Sequence, residues 1–286
     1  MTETQQLPAD TPASPQPPPA SNPTSRLLLA VGSVLGIVAV AWIAVFLIDL
    51  TMSRTTTTHE SYDAVRTVQL VADGDVTVRA ADGRVEVDAV ARQGITAPRY
   101  SVDERADSLV VTHRCAGWRW ALTRCSGGLD VTLPAETEVV VRTSNGEVVA
   151  SGLAGAVTLS TSNGDVEVGD VEADVDIETS NGSVRVSGVD GTLTADSSNG
   201  RMEVADVTGS ATMTTSNGRI DVAGVSGNVF AETSNGEVVV RGDDQPVRLT
   251  IETSNGRQTV EGPTDPAAER TVEIRSSNGD VSYLGR

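Results

Sequence analysis

Residues 161–200 read TSNGDVEVGDVEADVDIETSNGSVRVSGVDGTLTADSSNG, and within them Ser-Asn-Gly returns every 18 residues. The triplet occurs eight times in the second half of the chain, at Asn145, Asn163, Asn181, Asn199, Asn217, Asn235, Asn255 and Asn278. The first five intervals are 18 residues; the last two are 20 and 23. A short fixed period means one structural unit stacked many times, not a globular core around a pocket.

Counting each unit from its asparagine as position 1, apolar residues fall at positions 4, 6, 9, 13 and 15. For the unit at Asn163 these are Val166, Val168, Val171, Val175 and Ile177; for Asn199 they are Met202, Val204, Val207, Ala211 and Met213. Positions 4 and 6, and again 13 and 15, alternate with polar residues, so each unit holds two short strands with one buried face. No 3.6-residue apolar stripe runs through the region. Glycine at position 2 follows asparagine, a pair that accepts positive φ and marks a corner. Glycine recurs at position 8 (Gly152, Gly188, Gly224) and at position 11 (Gly155, Gly191, Gly209, Gly227), which marks a second corner. Strand, corner, strand, corner in 18 residues predicts an all-β fold, a single-stranded parallel β-helix or β-solenoid. Stacking would place each asparagine above the last in an amide ladder, and Thr or Ser at positions 17 and 18 in hydroxyl ladders. An array of Asn-Gly hairpins is the competing all-β reading, but it does not require one apolar register in every unit.

Around this array the chain divides by composition. Residues 1–26 contain seven of the twelve prolines and few apolar residues, and are expected to be a disordered, cytoplasmic tail. Residues 27–48, LLLAVGSVLGIVAVAWIAVFLI, carry no charge, and we place a transmembrane signal anchor at 27–50. The flanking charges, Arg26 against Asp49 and Arg54, leave orientation near a tie. The short tail and large all-β domain favour a single-pass protein of the cell membrane with its C-terminal domain extracytoplasmic. Residues 51–63 read as a polar spacer and 64–286 as the solenoid. Within it, 71–87 resembles a rough pair of coils, 93–127 reads as irregular, and regular 18-residue coils occupy 139–254. The coil at Asn278 is expected to end the stack.

Cys115 and Cys125 are the only cysteines and bracket CAGWRWALTRC. Two cysteines behind an export anchor suggest one disulfide; the alternative is two unpaired core thiols. Two thiolates alone cannot fill a zinc shell. Trp118, Arg119 and Trp120, between them, are a candidate partner contact, or a plug for the flank of the solenoid.

The net charge is −18, and the chain has no lysine, which resembles the coding bias of high-GC bacteria, especially actinobacteria. An acidic ectodomain disfavours nucleic acid and bare anionic phosphate surfaces as partners. The two histidines read as structural, His59 in the spacer and His113 near the loop. Hydrolase, zinc-protease, P-loop and dinucleotide fingerprints are absent from the sequence. Asp165, Asp170, Asp174, Asp176, Asp190, Asp196 and Asp206 merit weighing as paired catalytic acids or as Ca²⁺ ligands. They occupy outward repeat positions, which favours solvated surface, and no cofactor is indicated.

LDVTLP (129–134) followed by VVVRTSNGEVVASGLAGAVTLSTSNGDVEV (139–168) resembles the bacterial putative-adhesin family of β-solenoid envelope proteins. The resemblance covers roughly residues 64–286. It implies a solenoid that is often membrane-attached, and it supplies no catalytic residues. The expected function is a non-enzymatic adhesin-like or structural protein that binds a cell-wall glycan or an envelope protein. The rivals are an envelope-stress or assembly scaffold self-associating through its C-terminal coil, and a polysaccharide-acting enzyme.

Overall fold

The computed structural model of the chain describes residues 23–52, 54–93, 96–115 and 125–285. The expected tail lies outside the described residues except for its last four, which are helical. α1 spans Pro23–Met52 and contains one stretch, Val31–Ile48, long and apolar enough to cross a membrane. Proline suits the first helical turn, where an N–H has no intrahelical acceptor.

The remainder is two sheets of 12 and 11 strands. From Glu138 onward the chain alternates between them, one strand of each per coil. The pairs are β8 (Glu138–Thr143) and β9 (Val148–Ser151), β10 (Val157–Asn163) and β11 (Val166–Val171), β12 (Val175–Asn181) and β13 (Val184–Val189), then β14 (Leu193–Asn199) and β15 (Met202–Val207). They continue with β16 (Ala211–Asn217) and β17 (Ile220–Val225), β18 (Val229–Asn235) and β19 (Val238–Arg241). Every strand in this run pairs in parallel with its equivalent 18 residues on, for example Val166 with Val184 and Val184 with Met202. A constant register follows from the apolar pattern, because a one-residue slip would turn every buried valine to solvent. The apolar positions read from sequence are the core: Val166, Val168, Val171, Val175 and Ile177 are each at most 2 % exposed. Position 17 joins them, since Thr161, Thr179, Ser197, Thr215 and Thr233 are buried too.

Two details of the corners differ from the sequence reading. Glycine at position 2 does not adopt positive φ; it is needed because stacked backbones nearly touch. A Cβ built on Gly164 would lie 1.9 Å from the carbonyl oxygen of Gly146, and one on Gly200 would lie 1.8 Å from that of Gly182. The left-handed corner is at position 8, where Gly152, Gly188 and Gly224 alternate with Asp170 and Asp206, all at positive φ. Aspartate tolerates this conformation. Each leaves little room for a side chain in the next coil: a Cβ on Gly224 would lie 2.7 Å from Asp206 Oδ1. The expected hydroxyl ladders do not form either. Thr161, Thr179, Ser197 and Thr215 turn their hydroxyls inward, where they find no hydrogen-bond partner, while those near the ends, such as Thr143 and Ser276, donate to glycine carbonyls.

Both ends of the stack depart from chain order. Near the start, β2 (Thr67–Ala72) and β3 (Val76–Ala80) form a coil that lies between β8–β9 and a later one, β6 (Ser108–Arg114) and β7 (Ser126–Leu133). Three antiparallel strands close this end: β4 (Val85–Gln93) on β7, β1 (Arg54–Tyr62) on β4, and β5 (Arg99–Glu104) on β6. Three expectations are corrected here. Residues 71–87 contribute one coil, not two, because β4 runs antiparallel. Residues 93–127 hold most of three strands. Most of the polar spacer is β1, whose exposure along almost its whole length removed the alternation that would have marked it.

At the far end, β20 (Arg248–Asn255) and β21 (Gln258–Val260) form the outermost coil, and the last strands in sequence, β22 (Thr271–Asn278) and β23 (Val281–Leu284), insert between it and β18–β19. The coil at Asn278 is therefore interior, contrary to expectation. The intervals of 20 and 23 residues supply the extra chain for stepping past a coil and returning.

Candidate functional site

The most regular outward feature is the asparagine column. The Nδ2 of each asparagine donates to the Oδ1 of its neighbour: Asn163 to Asn145 at 3.0 Å, Asn181 to Asn163 at 3.1 Å, Asn199 to Asn181 at 3.0 Å. Asn217 to Asn199 and Asn235 to Asn217 follow at 2.9 Å. The out-of-order coils keep the register, with Asn278 donating to Asn235 and Asn255 to Asn278, both at 3.0 Å. All seven bonds point the same way, an arrangement in which each polarises the next.

The carboxylates weighed above as acids or calcium ligands bind backbone and hydroxyl groups of the next coil. Asp165 Oδ1 accepts the Ser183 N–H at 2.7 Å, Asp174 Oδ1 the Thr192 N–H at 2.8 Å, and Asp190 Oδ1 the Thr208 hydroxyl at 2.6 Å. Asp170 and Asp206 hold the left-handed corners, and Asp176 and Asp196 are exposed on the 11-stranded sheet. Among the described residues no group of three His, Cys, Asp or Glu side chains is placed to hold a metal ion.

On the 12-stranded sheet, position 5 carries a column of charge: Glu167, Arg185, Glu203 and Asp221. Arg185 pairs with Glu203 at 3.2 Å, and Arg219 bridges Asp221 at 2.6 Å and Glu237 at 2.7 Å. These pairs are partly solvated, so each contributes about 1 kcal/mol or less. Beside the column Ser187, Ala205 and Ala223 floor a shallow groove of about 290 Å³.

Cys115 and Cys125 form a disulfide, with Cα atoms 6.1 Å apart, that joins the end of β6 to the start of β7. Asp73 anchors its base, accepting the Cys115 N–H at 2.6 Å, the Arg114 Nε–H at 3.1 Å and the Ser144 hydroxyl at 3.5 Å. Trp118, Arg119 and Trp120 lie outside the described residues. His113 is 2 % exposed, with Nδ1 2.9 Å from the Gly128 carbonyl and its ring edge-on to Tyr100. His59 faces Asp88 on the exposed strand β1 at 2.9 Å. Nearby, the Tyr62 hydroxyl contacts Glu60 and Tyr100. Burial first, then these contacts, push the Tyr62 phenol well above its ordinary range.

Sequence reasoning missed one polar cluster. Arg270, in the loop before β22, donates from Nη1 to both Asp243 oxygens at 2.9 Å and from Nη2 to the Val225 carbonyl at 2.7 Å. Burial works to raise the Asp243 carboxyl, but the Arg270 hydrogen bond, with backbone N–H donors, outweighs it and holds the group below its usual range. The cluster locks the loops that carry the chain past a coil and back. Its only sequence signal is the longer spacing of the last two triplets.

Among solved structures, the fold is similar to that of a putative adhesin from Bacteroides fragilis, at 13 % identity and a TM-score of 0.44, over 82 % of this chain and 97 % of that one. It is also similar to a putative cell adhesion protein from Clostridium sporogenes, at 11 % identity and a TM-score of 0.30, over 82 % and 100 %. A putative lipid binding protein from Parabacteroides distasonis aligns at 11 % identity and a TM-score of 0.34, over 80 % and 96 %. At these identities the likeness is one of fold. No curated protein matches this chain. The profile of the Toastrack DUF4097 family matches residues 66–284, from the strand that opens the first coil to the strand that closes the last, and the chain belongs to that family.

Proposed function

We propose that this protein is a non-enzymatic component of the cell envelope, held in the membrane by α1 as a single span, with its solenoid extracytoplasmic. Its outer faces bind an envelope polymer or protein in an adhesin-like or structural role. The observation that carries this reading is the engagement of the outward carboxylates and amides. Asp165, Asp174, Asp190 and the asparagine column hold one coil to the next, so side chains that a glycosidase or a calcium site would draw on are tied into the scaffold. The uncharged span of α1 supports the anchor. The Cys115–Cys125 disulfide supports an oxidising compartment. With a net charge of −18, the partner is neutral or cationic in character.

Co-sedimentation tests the proposal. The full chain in detergent is mixed with isolated cell-wall polymer, and the supernatant is assayed for released sugar. Retention in the pellet without sugar release is expected. Sugar release would overturn the non-enzymatic reading, and absence of retention would exclude wall polymer as the partner.

A further inference from the structure

The two ends of the solenoid are finished differently. The start is closed by the antiparallel strands β1, β4 and β5. At the other end, β20 and β21 are the last strands of their sheets, and each is paired on one side only. Leu249, Ile251 and Thr253 occupy the positions that Val272, Ile274 and Ser276 hold one coil inward. The inward three are buried; the edge three are only half-buried. Apart from residues of α1, Val260 of β21 is the one exposed large hydrophobic side chain among the described residues, at 47 %.

We propose that this edge is the contact surface for a second copy of the same chain, which pairs with it in antiparallel fashion about a two-fold axis at Thr250. The sequence of the edge selects this partner. Arg248-Leu249-Thr250-Ile251-Glu252 is self-complementary when reversed. Antiparallel pairing centred on Thr250 sets Arg248 opposite Glu252 of the other copy, twice, and Leu249 opposite Ile251, twice. Parallel pairing in register would instead set arginine on arginine and glutamate on glutamate, which opposes it. The same axis brings β21 against its own copy and covers Val260. A closed two-fold contact of this kind uses both open edges and leaves none for further growth.

The geometry has a consequence that rests on the proposed anchor. β1, which follows α1 in the chain, lies at the opposite edge of the 12-stranded sheet from β21. In the dimer the two β1 strands are separated by the full stack of both copies, 24 strands at about 4.8 Å each, or roughly 110 Å. The anchors then leave at opposite ends, so the dimer joins two membranes.

The test uses the full chain in detergent micelles. Wild type is expected to sediment as a concentration-dependent dimer. E252R, which sets two arginines opposite each other, is expected to weaken dimerisation by at least about tenfold, and R248E likewise. The charge-swapped double variant R248E/E252R restores the pairing and the wild-type dissociation constant. Loss of the 3.6 Å Arg275–Glu252 pair cannot account for that rescue, because the double variant lacks it too. T250C, a single free thiol on the axis, is expected to cross-link to itself on mild oxidation. A monomeric wild type, a double variant no better than E252R, or absence of the cross-link would each overturn the proposal. Flotation with liposomes reports on the anchor separately: a chain that dimerises in detergent but does not float refutes the anchor and the two-membrane geometry, and leaves the edge contact standing. A chain that floats and dimerises but fails to aggregate its liposomes refutes the two-membrane geometry alone.

Discussion

Gly200→Ala and Gly169→Ala add the same methyl group to the same kind of strand-rich coil, yet their effects are expected to have opposite signs. At Gly200 the new Cβ would lie 1.8 Å from the Gly182 carbonyl oxygen, against an ordinary carbon–oxygen separation of about 3.3 Å, so the coils must part by about 1.5 Å. That opening falls on a corner held by the Gly182 N–H to the Asn199 carbonyl at 3.1 Å, the Gly200 N–H to the Asn217 carbonyl at 3.2 Å, and the Asn199 amide bond at 3.0 Å. At about 1 kcal/mol for each hydrogen bond stretched beyond use, the cost is about 3 kcal/mol. At Gly169 the nearest atom to a new Cβ is Ser187 Oγ at 4.0 Å, and φ is not left-handed. There alanine only restricts the unfolded chain, a gain of about 0.4–1 kcal/mol. Calorimetry on the full chain in detergent reads the difference. For a domain of this size, G200A is expected to melt about 6–12 °C lower and G169A about 1–4 °C higher. Shifts of the same sign, or a G200A shift within about 2 °C of zero, would refute the claim that position 2 is glycine because stacked backbones approach so closely.

Three further outcomes follow from the same physics. Val204→Asp buries a carboxylate at a site 3 % exposed in a middle coil, and should cost several kcal/mol and unfold the array or split its melting transition; an unchanged melting curve would contradict the core assignment. Arg270→Met removes the group that holds the Asp243 carboxyl low. Because a depressed carboxyl stabilises above its unfolded pKa of about 4 and loses that contribution as pH falls, wild type should keep this stability to lower pH than R270M. An acid-denaturation limb at the same pH in both proteins would show that the Arg270–Asp243 pair does not secure the crossing loops. Replacing Cys115 and Cys125 together by serine opens a short loop, ten residues apart in sequence, and on chain-entropy grounds should cost about 3 kcal/mol. Equal melting temperatures with and without the bond would mean that Asp73 and the β6–β7 coil already confine the loop.

Most of the repeat was legible without coordinates because a solenoid coil is a local object. Its strands, corners and core residues lie within 18 residues, and the valines at positions 4, 6, 9, 13 and 15 point inward by backbone alternation alone. The asparagine column was legible for the same reason: identical spacing forces identical placement when coils stack. The spacer was misread because β1 is an edge strand exposed along almost its whole length, so its threonines carry no alternation. Glycine at position 2 was found but given the wrong cause, since a positive φ and a near contact between backbones leave the same mark in a sequence.

Tertiary structure alone decided which coil lies next to which. Chain order predicts a stack that ends at Asn278, yet β22–β23 slides between β18–β19 and β20–β21, and β2–β3 sits between β6–β7 and β8–β9. Every coil presents nearly the same parallel edge, so local pattern cannot distinguish one neighbour from another. The choice is made by the loops, through contacts between residues far apart in sequence: Arg270 with Asp243 and Val225 at one end, and Asp73 with Cys115 and Ser144 at the other. The repeat by itself determined what a coil is; long-range polar contacts at the two ends determined the order in which the coils stack, and so which edge is left open.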